Sequence, residues 1–324
     1  MTMRKTNVLS QLMASAPRRE FASVEQERAY KTAADALNAD AQARWGDPTW
    51  HREQAALIAE RLEWGFQNDN ILGSYFPTQS VGQFDKVVLE ELRGLKVFWT
   101  ARNGQIDESQ MSTDRFELPR ETLGWHVSEF EDNWQADYAA TVEKLVAYAR
   151  LRETAEVNRR IFSVLQEAIP SSSPYFEDAS SAGLKPEVLN PLLSEVADIA
   201  PPSNGSLSMP LAIVGRAAAI DQISDFTNFA PEAQEEIRKK GRLGVYRGAN
   251  IVRITNWTDE DGKPYIPEDE VFVMGGDLGR FVSYGDAKFR TWSEDATDHF
   301  HARSRRDIGL AIYRPQFARR IKVA

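Results

Sequence analysis

Four histidines are the scarcest chemistry-capable side chains in the sequence: His51, His126, His299 and His301. In an extended strand, side chains alternate with a period of two, so His299-Phe300-His301 would place two imidazoles on one side. With a carboxylate such as Asp295 or Asp298, that pair has the donor types of a Zn, Ni or Cu site. Nothing distant in the sequence completes such a set, and an ordinary polar pair on a strand is the stronger reading. The one enzymatic alternative is therefore a soluble α+β metal-dependent hydrolase using His299 and His301. Asp259 and Asp261 in TDEDGKP are spaced like the start of a calcium loop. However, Pro264 stands where that loop needs glycine, and no helix pattern follows Glu270, so a β-turn is expected. Gly275-Gly276-Asp277-Leu278-Gly279 lacks the spacing of a dinucleotide-binding turn, and neither GxxxxGK[ST] nor GxSxG occurs. Neighbouring carboxylates such as Glu129 and Glu131 are unavoidable with 48 acidic residues, and spacing selects none of them. There is no cysteine, which removes thiolate nucleophiles, Cys-ligated zinc, iron–sulfur clusters and disulfides. No catalytic residue, cofactor or metal is expected.

The elements that would position any site are of both kinds. From Gln135 to Ile169 there is neither Pro nor Gly. Val142, Leu145, Val146, Ala149, Val157, Ile161, Val164, Leu165 and Ile169 recur at mostly helical intervals until Pro170 stops them. The spacing predicts one long helix, with two shorter ones broken near residues 152–158 as the alternative. Residues 51–67 have helical spacing after the start signal Asp47-Pro48-Thr49. Leu95, Val97, Trp99 and Ala101 alternate with polar or aromatic neighbours before the turn signal Asn103-Gly104. Residues 115–118 and 123–127 also look extended. The result is a β excursion of more than thirty residues. Because a lone hairpin is marginal in water, it must lie on something else, in this chain or a neighbour. The second half predicts a strand at Leu211–Val214, a helix over 186–200 that starts or bends at Pro191, and strands at 243–246, 250–255, 270–274, 280–284 and 308–313. The class is α+β with mainly antiparallel connections.

Composition bounds the function. The 324 residues carry a net charge of −9 and are 42% hydrophobic, enough for a substantial core. No apolar run is long enough to span a membrane, and the basic N-terminus lacks the apolar centre of a signal peptide. A soluble protein made in a reducing cytoplasm is expected. The charge is uneven: residues 303–324 hold seven basic side chains and one acid, +6, leaving −15 on the rest. A basic tail on an acidic body can bind nucleic acid or an acidic patch on a sister subunit, and the subunit-contact or structural reading is the stronger. Ile308, Leu310, Ile312 and Tyr313 within it alternate as a strand would. The acidic remainder argues against a coat for nucleic acid.

The order of these features, with GRLGVYRGANIVRI, DEVFVMGG, GRFVSYGDAKFRTW and DIGLAIYRPQFARRIKV in the last 80 or so residues, resembles the major capsid proteins of tailed double-stranded DNA bacteriophages with the HK97-like fold. The resemblance implies an N-terminal arm at 1–50, a helix and linker at 51–77, and an extended hairpin, the E-loop, at 78–130. It further implies a spine helix of the peripheral domain at 135–169, an axial domain at 171–280, and a return to the peripheral domain with the basic tail at 281–324. The implied function is assembly of pentamers and hexamers into an icosahedral shell around packaged DNA, with separate scaffolding, portal and decoration proteins as partners. The implied place is the virion, assembled in the bacterial host cytoplasm. An encapsulin-like nanocompartment is the alternative within the same fold. The resemblance makes Trp99, Arg102, Phe116, Trp125, Arg305, Arg306, Arg319 and Arg320 candidates for contacts between subunits. Some relatives join subunits by a Lys–Asn isopeptide bond. Lys86 and Lys96 lie near the excursion, but no Asn follows Asn256, so no such bond is expected. No large cleaved prodomain is expected either.

Overall fold

A computed structural model describes residues 24–68, 76, 78–93, 112–199, 211–226, 232–233, 235, 237, 244–254, 267–276, 278–294 and 297–323. The predicted strand at 95–101, with Trp99 and Arg102, lies outside the described residues. So do the 258–264 turn and residues 1–23 of the expected N-terminal arm.

Two helices lead, α1 (Val24–Arg44) and α2 (Pro48–Asn68). Strand β1 (Thr78–Val81) follows, then a two-stranded ribbon of β2 (Val88–Arg93) and β3 (Ser112–Glu117), then β4 (Glu121–Phe130). A short helix α3 (Glu131–Ala136) precedes α4 (Tyr138–Ala168), which runs unbroken for 31 residues. At 1.5 Å per residue it is about 46 Å long.

The start and stop of α4 have local causes. Asp137 caps its first turn by accepting from the Ala140 N–H at 3.2 Å. Asn38 of α1 accepts from Ala139 N–H at 2.8 Å and donates to Asp137 at 3.0 Å, so the cap is fastened to another helix. At the far end Ile169 N–H bonds back to Leu165 O, and Pro170 prevents continuation. The helix is continuous, as its spacing predicted, and the alternative break near 152–158 does not occur. The apolar pattern thins there because Glu153 and Asn158 are themselves buried against the protein. Polar residues inside a core do not register as core by hydropathy.

The remaining elements form two sheets. Strand β5 (Phe176–Asp178) and helix α5 (Pro186–Ile199) precede β6 (Leu211–Arg216) and the single turn α6 (Ala217–Ile220). Then come β7 (Val245–Tyr246), β8 (Ala249–Ile254), β9 (Glu270–Gly275), β10 (Gly279–Tyr284), β11 (Lys288–Glu294), β12 (His299–Ile312) and β13 (Ala318–Lys322). The six-stranded sheet has the order β5-β13-β9-β6-β8-β7, and the five-stranded one β1-β10-β12-β11, with β4 along the other side of β12. Most pairings are antiparallel, as expected. Three are parallel: β1 with β10, β5 with β13, and β6 with β8.

Helix α4 joins both sheets. Its second half (Val157, Ile161, Phe162, Leu165) packs with Val214, Phe272 and Met274 of one sheet and with Phe281, Ile308 and Leu310 of the other. Its first half (Tyr138, Val142, Val146, Ala149) packs with Leu37 of α1, Ile58 of α2, and Phe289, Phe300 and Ala302. The opposite face of the six-stranded sheet is covered by Leu189, Leu193 and Val196 of α5. Covered on both faces, β6 and β9 are buried at every position, which explains their continuous apolar runs. No described helix is long and apolar enough to cross a membrane.

Candidate interface surface

The ribbon and the face of β12 beside it are the parts of the structure that the core does not explain. In the ribbon, β2 and β3 pair over six residues from Val88↔Glu117 to Arg93↔Ser112, and β3 places Phe116 opposite Leu89. Among the described residues these two strands pair only with each other. The expected excursion of 78–130 is therefore not one element. Glu121–Phe130 is a full member of the five-stranded sheet, paired along ten residues of β12, and Thr78–Val81 joins the sheet through β10.

The root of the ribbon is anchored. Leu118 N–H bonds to Val87 O at 3.1 Å, and both side chains are buried with Val282, Tyr284 and Ala311. Leu118 reaches this seat because position 309 is glycine. A Cβ there would lie 2.6 Å from Leu118 Cδ2 and 2.9 Å from Pro119 O. Arg120 adds a polar clamp: it donates to Gln83 O and to Asp307, and stacks over the Tyr284 ring at 5.1 Å. Burial raises the Asp307 carboxyl, but the hydrogen bonds from Arg120 and Thr122 outweigh it and hold the group below the usual carboxylate range.

Beyond Asp307, toward His299, the same face of β12 is open. Its odd-numbered residues point outward, flanked by those of β4 and β11. His299 and His301 do share one side of the strand, as their spacing predicted, with ring centroids 6.4 Å apart. His301 also meets His126 of β4, nitrogen to nitrogen at 3.1 Å, and Glu294 at 3.3 Å. Trp292 stacks on His301 at 4.9 Å and on His126 at 5.4 Å. Hydrogen bonds from Thr297 and His301 hold the Glu294 carboxyl below its usual value. Among the described residues no three His, Cys, Asp or Glu side chains are placed to hold a metal ion. The fourth histidine, His51, bonds to Trp45 O inside an aromatic cluster with Trp50 and Phe300.

The other sequence-predicted residues fall in different places. Trp125 is on the inner face of β4. It packs edge-on against Phe289 at 5.8 Å and donates to Glu153 of α4 at 2.7 Å. Arg305 is exposed on the outer face, whereas Arg306 points inward and is only 2% exposed. Arg319 bonds to Glu195 at 3.1 Å and to the carbonyls of Gln316 and Ala318, over the Tyr175 ring. Arg320 pairs with buried Glu270 and donates to Ile169 O at 3.0 Å. Residues 303–323 are thus strands of the two sheets and not a tail, and Arg306, Arg319 and Arg320 are internal residues of the single chain. The sequence reading missed that Lys288, Arg290, Arg303, His126 and Trp292 would meet. The available signal was the every-second-residue run His299, His301, Arg303, Arg305, which marks one strand face.

No protein-family model matches the sequence, and no curated relative aligns with it. The fold does match solved structures. The acidic stable capsid of Helicobacter pylori bacteriophage KHP30 superposes with a TM-score of 0.54 at 10% identity, covering 78% of this chain and 88% of its own. Microbacterium phage Oxtober96 gives 0.54 at 13% identity, covering 78% and 90%. The capsid of Cyanophage P-SCSP1u gives 0.52 at 12% identity, covering 79% and 88%. The chain has the HK97-like fold of phage major capsid proteins.

Proposed function

We propose that the chain is a structural, non-enzymatic major capsid protein of a tailed bacteriophage. It assembles as pentamers and hexamers into an icosahedral shell around packaged double-stranded DNA and is a component of the virion, assembled in the host cytoplasm. Scaffolding, portal and decoration proteins are its expected partners. The observation that carries this reading is the likeness of fold, which extends over nearly four-fifths of the chain. The ribbon supports it: among the described residues its two strands pair with no sheet, such a ribbon is marginal alone in water, and a neighbouring subunit supplies the missing surface. In this reading β2, β3 and the residues between them are the E-loop, α4 is the spine helix, and the six-stranded sheet with α5 belongs to the axial domain. Trp99, Arg102, Phe116 and Arg305 remain its candidate contacts between subunits, whereas Trp125 is turned inward onto Phe289 and Glu153. Rings and shells built from one chain use heterologous contacts, so the work is done by interfaces and not by a reacting centre.

Light scattering and electron microscopy of the expressed protein test this. Ring oligomers or closed megadalton particles are expected. A chain that stays a 36.6 kDa monomer with its scaffold present would overturn the reading.

A further inference from the structure

The outer face of β11, β12 and β4 carries cations that the chain leaves unmatched. Register puts Arg290 directly opposite Arg303, and Lys288 directly opposite Arg305. All four are exposed. Like charges directly opposite on a sheet repel and lower its stability. Among the described residues no carboxylate pairs with Lys288, Arg290 or Arg303. Of the four, Arg305 reaches Asp307 at 3.5 Å, and the two acids on the face are otherwise engaged, Asp307 by Arg120 and Thr122, and Glu294 by Thr297 and His301. Beside the cations stand the near-parallel rings of Trp292, His301 and His126, with interplanar angles of 9–23°. Trp292 and Phe130 are exposed apolar side chains at this surface. Arginine and aromatic residues together are the composition of protein interfaces. The open area is also continuous with the end of the same face that the ribbon root covers at Gly309 and Ala311.

We propose that this face is a docking surface for an acidic surface of a second copy of the chain. The inference rests on the shell reading and names one of its contacts. Charge complementarity carries it: the face is cationic on a chain of net charge −9, in which 48 acidic side chains outnumber 39 basic ones, so another copy offers acidic surface to meet it. Carboxylates placed between Arg290 and Arg303 would also remove the repulsion built into the isolated chain. Duplex DNA fits less well. Four cations neutralise few phosphates, and the net negative charge of the whole chain opposes approach to a polyanion.

The test compares assembly of the full chain carrying Arg290→Glu with Arg303→Glu, or Arg290→Lys with Arg303→Lys, against wild type. Light scattering reads the protein concentration at half-assembly, and circular dichroism checks the fold of each variant. The glutamate pair should raise that concentration by about tenfold or more, and the lysine pair should leave it nearly unchanged. Added salt should weaken wild-type assembly and should affect the glutamate pair less. Should the glutamate pair not fold, Arg290→Gln with Arg303→Gln must shift assembly in the same direction. A folded glutamate variant that assembles at the wild-type concentration overturns the inference while leaving the shell reading intact. A duplex DNA fragment shifted by wild type at physiological salt but not by the glutamate variant, with assembly unchanged, assigns the face to nucleic acid instead and also overturns it. A wild-type chain that never associates removes the shell reading and this contact with it.

Discussion

The indole N–H of Trp125 donates to the Glu153 carboxylate at 2.7 Å, tying the middle of the 31-residue helix α4 to strand β4. Glu153 is only 6% exposed, so this donor answers a buried charge-bearing group at the seam between two apolar clusters of the core. A hydrogen bond to a charged group contributes more than a neutral one, and leaving a buried acceptor short of a donor costs about 1–3 kcal/mol. Trp125→Phe keeps most of the ring and removes the donor. It should destabilise the chain by that order, read as a lower midpoint in urea unfolding. Combined with Glu153→Gln it should cost less than the two single changes together. Strict additivity would mean that the contact is incidental.

A second junction joins three elements through one carboxylate. Glu270 of β9 pairs with Arg320 of β13 and accepts from Gln166 of α4 at 2.9 Å. Both members of the ion pair are largely shielded from water. Removing one partner of such a pair leaves an uncompensated charge and costs about 3–5 kcal/mol, whereas replacing both by apolar residues of similar size is often neutral. Arg320→Met should therefore be strongly destabilising, and Arg320→Met with Glu270→Leu should recover most of the loss. Thermal melts of the three chains check this. A double variant as unstable as the single would show that the pair matters through Arg320's bond to the Ile169 carbonyl instead.

The clamp at the ribbon root should be sensitive to acid. Asp307 releases its proton more readily in the folded chain than in the unfolded one, since Arg120 and Thr122 bind the carboxylate. Its contribution is then complete above the unfolded value of about pH 3.9 and fades as pH falls below that through the lower folded value. Asp307→Asn should lower the melting temperature at neutral pH, and the gap to wild type should close below about pH 4. A gap that stayed constant down to pH 2 would mean that the charge on Asp307 is not what the clamp uses.

These residues also show what could be read from sequence. Helix α4 was legible because its apolar stripe and its stop are local. A break near Glu153 stands as the alternative to one long helix, because the partner that makes a buried glutamate tolerable lies on a strand 28 residues away. The apolar second half of β12 was legible at 308–313. Its first half, HFHARSRR, was not, since its inward positions include Ser304 and Arg306 as well as Phe300 and Ala302. The basic stretch after residue 303 read as a tail by charge alone. Pairing decides otherwise, for β13 lies between β5 and β9, and its arginines find their acids in α5 and β9. The outer cation array needed the register of β11 against β12, which only the folded chain supplies.

The last prediction separates folding from assembly at the ribbon. Paired β2 and β3 end at Arg93↔Ser112, so a two-residue turn can close them directly. Replacing residues 94–111 by Asn-Gly keeps the six register pairs, the Leu118 seat and the Arg120 clamp. The shortened chain should melt within about 1 kcal/mol of wild type, as loop changes outside the core do. It should fail to form closed shells, because the removed segment is the part of the E-loop proposed to reach a neighbour. Sedimentation and circular dichroism read the two effects separately. Shells of normal size from the shortened chain would remove residues 94–111 from the contact. A loss of cooperative melting would instead make them part of the subunit's own core.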